Sequence, residues 1–142
     1  MKKFFSVILV CVIIFSTKCF AYYDPDYDPY ENNPNYIYVT TGGQGVFYLY
    51  KPSVDVQEYN PPHYQIAGNF IHYSSLFEKD HTTNIHMTLR YNWYTKETFH
   101  LEDGYWKKIE IDETKAAMAA IHNRRFADAL FNVAYKMDFY GY

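Results

Sequence analysis

Strands first and a helix last is the order that residues 36–142 predict. The fold class is α+β, a single antiparallel sheet of about five or six strands with a C-terminal helix packed on one face. Three observations carry this. Over 84–94, Ile85, Met87, Leu89, Tyr91 and Trp93 alternate with Asn84, His86, Thr88, Arg90, Asn92 and Tyr94, the period of a half-buried strand. Turn residues punctuate the strand-like runs, among them Gly42, Gly43 and Gly45 and the pair Asp103-Gly104. Residues 113–137 then hold neither Gly nor Pro, and Ala119, Phe126, Leu130, Val133 and Met137 recur at helical spacing.

Each element follows in order. The chain opens with Lys2 and Lys3, an apolar run from Phe4 to Phe15, and Cys19-Phe20-Ala21. A basic start, a short apolar stretch and a small exit residue predict a signal peptide over 1–21, with Tyr22 as the mature N-terminus. The run is shorter than the ~20 residues that a span requires, so no stable membrane span is expected after its removal. Residues 22–35, YYDPDYDPYENNPN, have no apolar period and carry Pro25, Pro29 and Pro34. They read as a disordered Tyr/Asp/Pro spacer before an α+β domain at 36–142.

The runs NYIYVTT and GVFYLYK are rich in β-branched and aromatic residues, and the glycines between them predict a hairpin. A phosphate loop would need a helix after the glycines, and here a strand follows. Pro52, Pro61 and Pro62 predict that 51–62 crosses the edge of the sheet. YQIAGNFIHYSS is the next strand, and LFEKDH a polar connection. After 84–94, the run ETFHLE is expected to turn Phe99 and Leu101 toward the core. Asp103-Gly104 suits a two-residue hairpin because both positions accept positive φ, and YWKKIEI returns. Asp112 offers an N-cap. The alanines of 116–120 suit close packing on the sheet, HNRR at 122–125 interrupts the apolar stripe and threatens to split the helix, and Gly141 is expected to stop it.

Composition narrows the function. The chain carries 13 basic and 16 acidic residues. Without Lys2, Lys3 and Lys18, ten basic residues remain against sixteen acids, a formal charge of −6. That charge disfavours nucleic acid as a partner. Both cysteines, Cys11 and Cys19, leave with the signal, which removes thiol chemistry, disulfides and zinc–thiolate sites. The 17 tyrosines all lie in the mature chain, where their amphipathic rings suit half-buried sheets and contact surfaces.

Motifs for chemistry are sparse. Asp24, Asp26 and Asp28 have the spacing that opens a calcium loop, but Pro29 and Asn35 stand where its glycine and glutamate belong. The histidines His63, His72, His81, His86, His100 and His122 contain no pair at metal-ligand spacing. His86 and His100 are expected to approach each other across neighbouring strands, on the face opposite Leu89, with Arg90 beside them to repel a cation. Ser53, Ser74 and Ser75 lie in no nucleophile elbow. Glu102 and Asp103 sit at a turn, where solvation keeps carboxylates ordinary. Lys107-Lys108 and Arg124-Arg125 read as solvent-facing basic spots or, alternatively, as docking points for an acidic partner. No residue is assigned as catalytic, cofactor-binding or metal-binding, and no cofactor is expected.

The stretch RYNWYTKETFHLEDGYWKKIEI, followed by a helix ending FNVAYKMDFYG, resembles a family of small, uncharacterised, secreted bacterial proteins with an AYxMxFYG-type close. More distantly it is similar to the surface-adhesin protein E domain, a short antiparallel sheet with a helix. The resemblance implies residence in the periplasm or at the cell surface and binding to an envelope or matrix ligand, and transfers no catalytic residue. The expectation is therefore a secreted, non-enzymatic, adhesin-like binding domain. The competing expectation is a small periplasmic metal-binding protein or hydrolase built on sheet histidines.

Overall fold

The computed structural model describes residues 28–42, 45–74, 81–111 and 117–141. The signal-peptide segment 1–21, the tract 22–27, the connection 75–80 and the N-cap at Asp112 lie outside the described residues.

Among the described residues six strands run in chain order as one antiparallel meander: β1 Tyr36–Gly42, β2 Gly45–Asn60, β3 His63–Ser74, β4 His81–Asn92, β5 Glu97–Glu102 and β6 Tyr105–Lys108. Helix α1, Ala117–Tyr135, follows. This is the expected α+β architecture, with the helix lying over β1, β2 and β3.

The alternation of 84–94 fixes the inner face. Leu89 is fully buried and Tyr91 nearly so, and Ile85, Met87 and Trp93 pack beside them. Across β3, Ile66 and Phe70 pair with Leu89 and Ile85 and join the same core. The hydroxyl of Tyr91 donates to the Ala127 carbonyl at 3.0 Å, which satisfies the polar end of a buried ring. Gly68 sits between these positions, and a Cβ there would lie 2.7 Å from Leu130 Cδ1. The missing side chain lets α1 approach the sheet.

Several expectations change. The prolines of 51–62 do not take the chain across an edge. Pro52 lies inside the long strand β2, and Pro61-Pro62, with a cis bond between them, form the turn into β3. The ladder shifts register between Tyr50 and Asp55, and there Ser53 Oγ donates to the Tyr50 carbonyl at 2.7 Å and accepts from the Asn69 amide at 2.8 Å. A serine hydroxyl thus stands in for the ladder bonds that a proline interrupts. In β1, a bulge between Tyr38 and Thr40 turns both Val39 and Thr40 inward.

Strand β5 also differs. Leu89 pairs with His100 and Arg90 with Phe99, so Phe99 and Leu101 face away from the core, and Thr98 is the buried residue. The turn between β4 and β5, with Lys96 at φ 55, sets this register. A single-residue offset exchanges the two faces of a strand. The Asp103-Gly104 hairpin forms with both residues at positive φ, as expected.

The helix is continuous through 122–125. Among its described residues Ala127, Asp128, Leu130 and Phe131 are buried, and Phe126 and Val133 of the expected stripe pack against the same core, whereas Ala119 is exposed and Met137 lies exposed beyond the helix end. Gly141 does not stop it. Lys136, at φ 60, closes the helix with its amide on the Asn132 carbonyl at 2.7 Å. The tail then doubles back and inserts Phe139, fully buried, among Tyr91, Trp93 and Phe131.

Candidate functional site

The sheet face opposite the helix has two halves. Over β1–β3 it is a tyrosine cluster. Tyr36, Tyr38, Tyr48, Tyr50 and Tyr73 share this face by register. Residues 28–35, expected to be part of a spacer, turn onto it instead. The Tyr30 ring lies 4.8 Å from Tyr36, 5.6 Å from Tyr48 and 5.7 Å from Tyr73. Asp28 accepts the Tyr48 hydroxyl at 2.6 Å and the Tyr30 amide at 2.8 Å. Burial first, then the Asp28 carboxylate, hold the Tyr48 hydroxyl well above the usual tyrosine range. The proline spacing of 22–35 carries no sign of these contacts, because Tyr48 and Tyr73 lie far along the chain from Tyr30.

Over β4–β6 neither the helix nor the Tyr30 segment, among the described residues, covers the same face. Here β4 presents Arg90, β5 presents Phe99 and Leu101, and β6 presents Trp106. The Arg90 guanidinium stacks 3.9 Å from the Trp106 ring centroid. Its Nε donates to Gln65 Oε1 at 2.8 Å, and Gln65 Nε2 donates to Gln57 Oε1 at 2.6 Å. A flat polar ladder therefore crosses from β2 to β4 and ends on an indole. Leu101 is 44% exposed. Beside Arg90 opens a cleft of about 210 Å³, lined by Glu58, His63, Asn92, Glu97 and Phe99 among others.

The histidines do not assemble as expected. His86 lies on the outer face, with Nδ1 2.8 Å from Asn69 Oδ1. His100 lies on the helix-side face, opposite Leu89, with Nε2 3.6 Å from Glu102. The β5 register that reversed Phe99 also separated these two. His72 stacks on Phe47 at 4.4 Å, His122 abuts Gly42 and His81 is exposed at the start of β4. Among the described residues no group of three His, Asp or Glu side chains converges to hold a metal.

The basic spots are ion-paired on β6: Lys107 with Glu102 at 2.7 Å and Lys108 with Glu97 at 2.6 Å. Glu102 is therefore not an ordinary solvated carboxylate. Its hydrogen bond to Lys107 lowers its pKa, as the bond to Lys108 lowers that of Glu97. On the helix side, Asp128 is buried and accepts the Tyr140 amide at 2.8 Å, and burial raises its pKa. Lys96 donates to the Phe139 carbonyl at 2.6 Å over the Trp93 ring. Arg124 donates to the Gly141 carbonyl at 2.8 Å. These polar groups fasten the tail, so the AYxMxFYG-type close has a packing role.

Among the described residues no helix is long and apolar enough to cross a membrane. No family model, no curated protein and no solved structure matches this chain.

Proposed function

We propose that this chain is an exported, non-enzymatic binding domain that docks an envelope or matrix partner through the open half of its outer sheet face. One observation carries the reading. Arg90, stacked on Trp106 and set among Phe99 and Leu101, forms an exposed aromatic–aliphatic patch that neither the helix nor the Tyr30 segment covers. Trp and Arg are the side chains over-represented where interfaces concentrate their binding energy, and here the guanidinium is held in place before any partner arrives. The likeness of 90–111 and the helix end to secreted, adhesin-like domains supports the same reading, as does the apolar leader. The tyrosines of the outer face contribute less contact area than their number promises, since Tyr30, Tyr36, Tyr48 and Tyr73 pack on one another.

The test is capture from envelope and matrix extracts by the mature chain, compared with Leu101→Asp, Trp106→Ala and Tyr59→Ser. Tyr59 is 67% exposed but lies on the helix side, against Tyr64 and Tyr135. The reading expects a captured species that both patch variants lose and Tyr59→Ser retains. Capture that survives both patch variants, or no capture at all, contradicts it.

A further inference from the structure

The cleft beside the patch holds two opposite charges that do not neutralise each other. Arg90 commits only Nε, to Gln65, and its guanidinium face, to Trp106, so its terminal amino groups have no partner among the described residues. Glu58 stands on the same face, opposite Gln65 in the ladder, and makes no hydrogen bond or ion pair among the described residues. Both line the same 210 Å³ space. The other carboxylate there, Glu97, is already held by Lys108 and by the Thr95 hydroxyl at 2.9 Å. Phe99 supplies an apolar wall.

We infer that this cleft binds a small zwitterion, a free α-amino acid with an apolar side chain. Its carboxylate is received by the Arg90 fork, its ammonium by Glu58 and its side chain by the Phe99 ring. The guanidinium fork matches a carboxylate in two parallel hydrogen bonds, and stacking on Trp106 fixes its plane beforehand. A doubly charged phosphate would meet both Glu58 and Glu97 and is disfavoured. A neutral apolar molecule would leave Arg90 and Glu58 without partners. The inference goes beyond a docking patch, because it assigns a small-ligand chemistry to a defined space, and the two fail separately.

NMR titration of the mature chain with L-leucine is the test, with N-acetyl-L-leucine, L-leucinamide and inorganic phosphate as the other arms. L-leucine is expected to shift the resonances of His63, Asn92 and Phe99. Loss of either charged contact is expected to weaken binding about ten- to a hundred-fold, whether by blocking the ligand or through Arg90→Gln or Glu58→Gln. Glu58→Gln should weaken L-leucine while leaving N-acetyl-L-leucine unchanged, a selectivity that general unfolding does not produce. Absence of these shifts at millimolar L-leucine, equal shifts with all three leucine forms, or a response to phosphate alone overturns the inference. Extract capture lost with Leu101→Asp would still stand in each of those cases.

Discussion

Two short segments fold back onto opposite faces of one sheet, and they do so by different physics. The C-terminal tail buries Phe139 completely, with ring contacts at 4.9 Å to Tyr91 and 5.2 Å to Phe131. Its polar groups end on fixed partners: Tyr140 on Asp128, Lys96 on the Phe139 carbonyl and Arg124 on that of Gly141. The 28–35 segment only half-buries Tyr30, and its side-chain hydrogen bonds to the sheet run through a carboxylate and hydroxyls near solvent: Asp28 to Tyr48, and Tyr30 to Thr82 at 3.4 Å. A phenylalanine can be sealed in a core at no polar cost, whereas a tyrosine brings a hydroxyl that must find a partner. The outcome is a tail that belongs to the core and an N-terminal segment that covers one half of the outer face and leaves the other half open.

Phe139→Ala is expected to cost about 3–5 kcal/mol, since a buried ring is lost and a cavity remains. Chemical denaturation checks it. Leu89→Ala, on the sheet beneath, should fall at about 2–5 kcal/mol for the same reason. Tyr30→Ala should cost less, about 1–2 kcal/mol, through loss of half-buried ring contacts. If Tyr30→Ala equals Phe139→Ala, the two segments are not different in kind. Arg90→Ala should cost least, about 0.5–1 kcal/mol, the worth of an exposed cation–π stack such as the one it makes on Trp106.

The tail also carries a pH signature. Burial raises the Asp128 pKa above its ordinary 3.8, so the folded chain holds this proton more tightly than the unfolded one. The contribution of Asp128 is then fully present below pH 3.8 and is lost as pH rises through the raised folded value. Glu97 and Glu102 act oppositely. Their lowered pKa values make a contribution present above the ordinary 4.5 and lost as pH falls through the folded values. In Asp128→Asn, the urea midpoint should decline more on acidification than in the wild type, because only the glutamate contribution remains. An unchanged profile would show that Asp128 is not penalised by burial.

How much of this was legible in the sequence follows from the range of the interactions. The 84–94 alternation placed Leu89 in and Arg90 out, because strand faces are a local, period-two property. The helix order and the Asp103-Gly104 turn were local as well. Phe99 was not legible. Its face depends on how many residues the Trp93–Lys96 turn consumes, and one residue reverses the strand. The separation of His86 from His100 comes from that same offset. Tyr30 was hidden for another reason, since its partners Tyr48 and Tyr73 are brought to it only by sheet pairing. The Arg90–Trp106 stack was missed because it joins β4 to β6 across a strand whose face had been reversed. The alternation that placed Arg90 outside, with Trp106 two residues beyond Asp103-Gly104, was the available signal.

The Asp28–Tyr30 segment is a working part of the fold that closes the tyrosine half of the outer face. A double-mutant cycle on Asp28→Ala and Tyr48→Phe, read by chemical denaturation, tests it most directly, because the two residues meet only if the segment is docked. A coupling of about 0.5–3 kcal/mol is the expected result, the range for groups in direct contact. Additive single effects, with no coupling beyond about 0.3 kcal/mol, would contradict the claim and return the segment to a spacer.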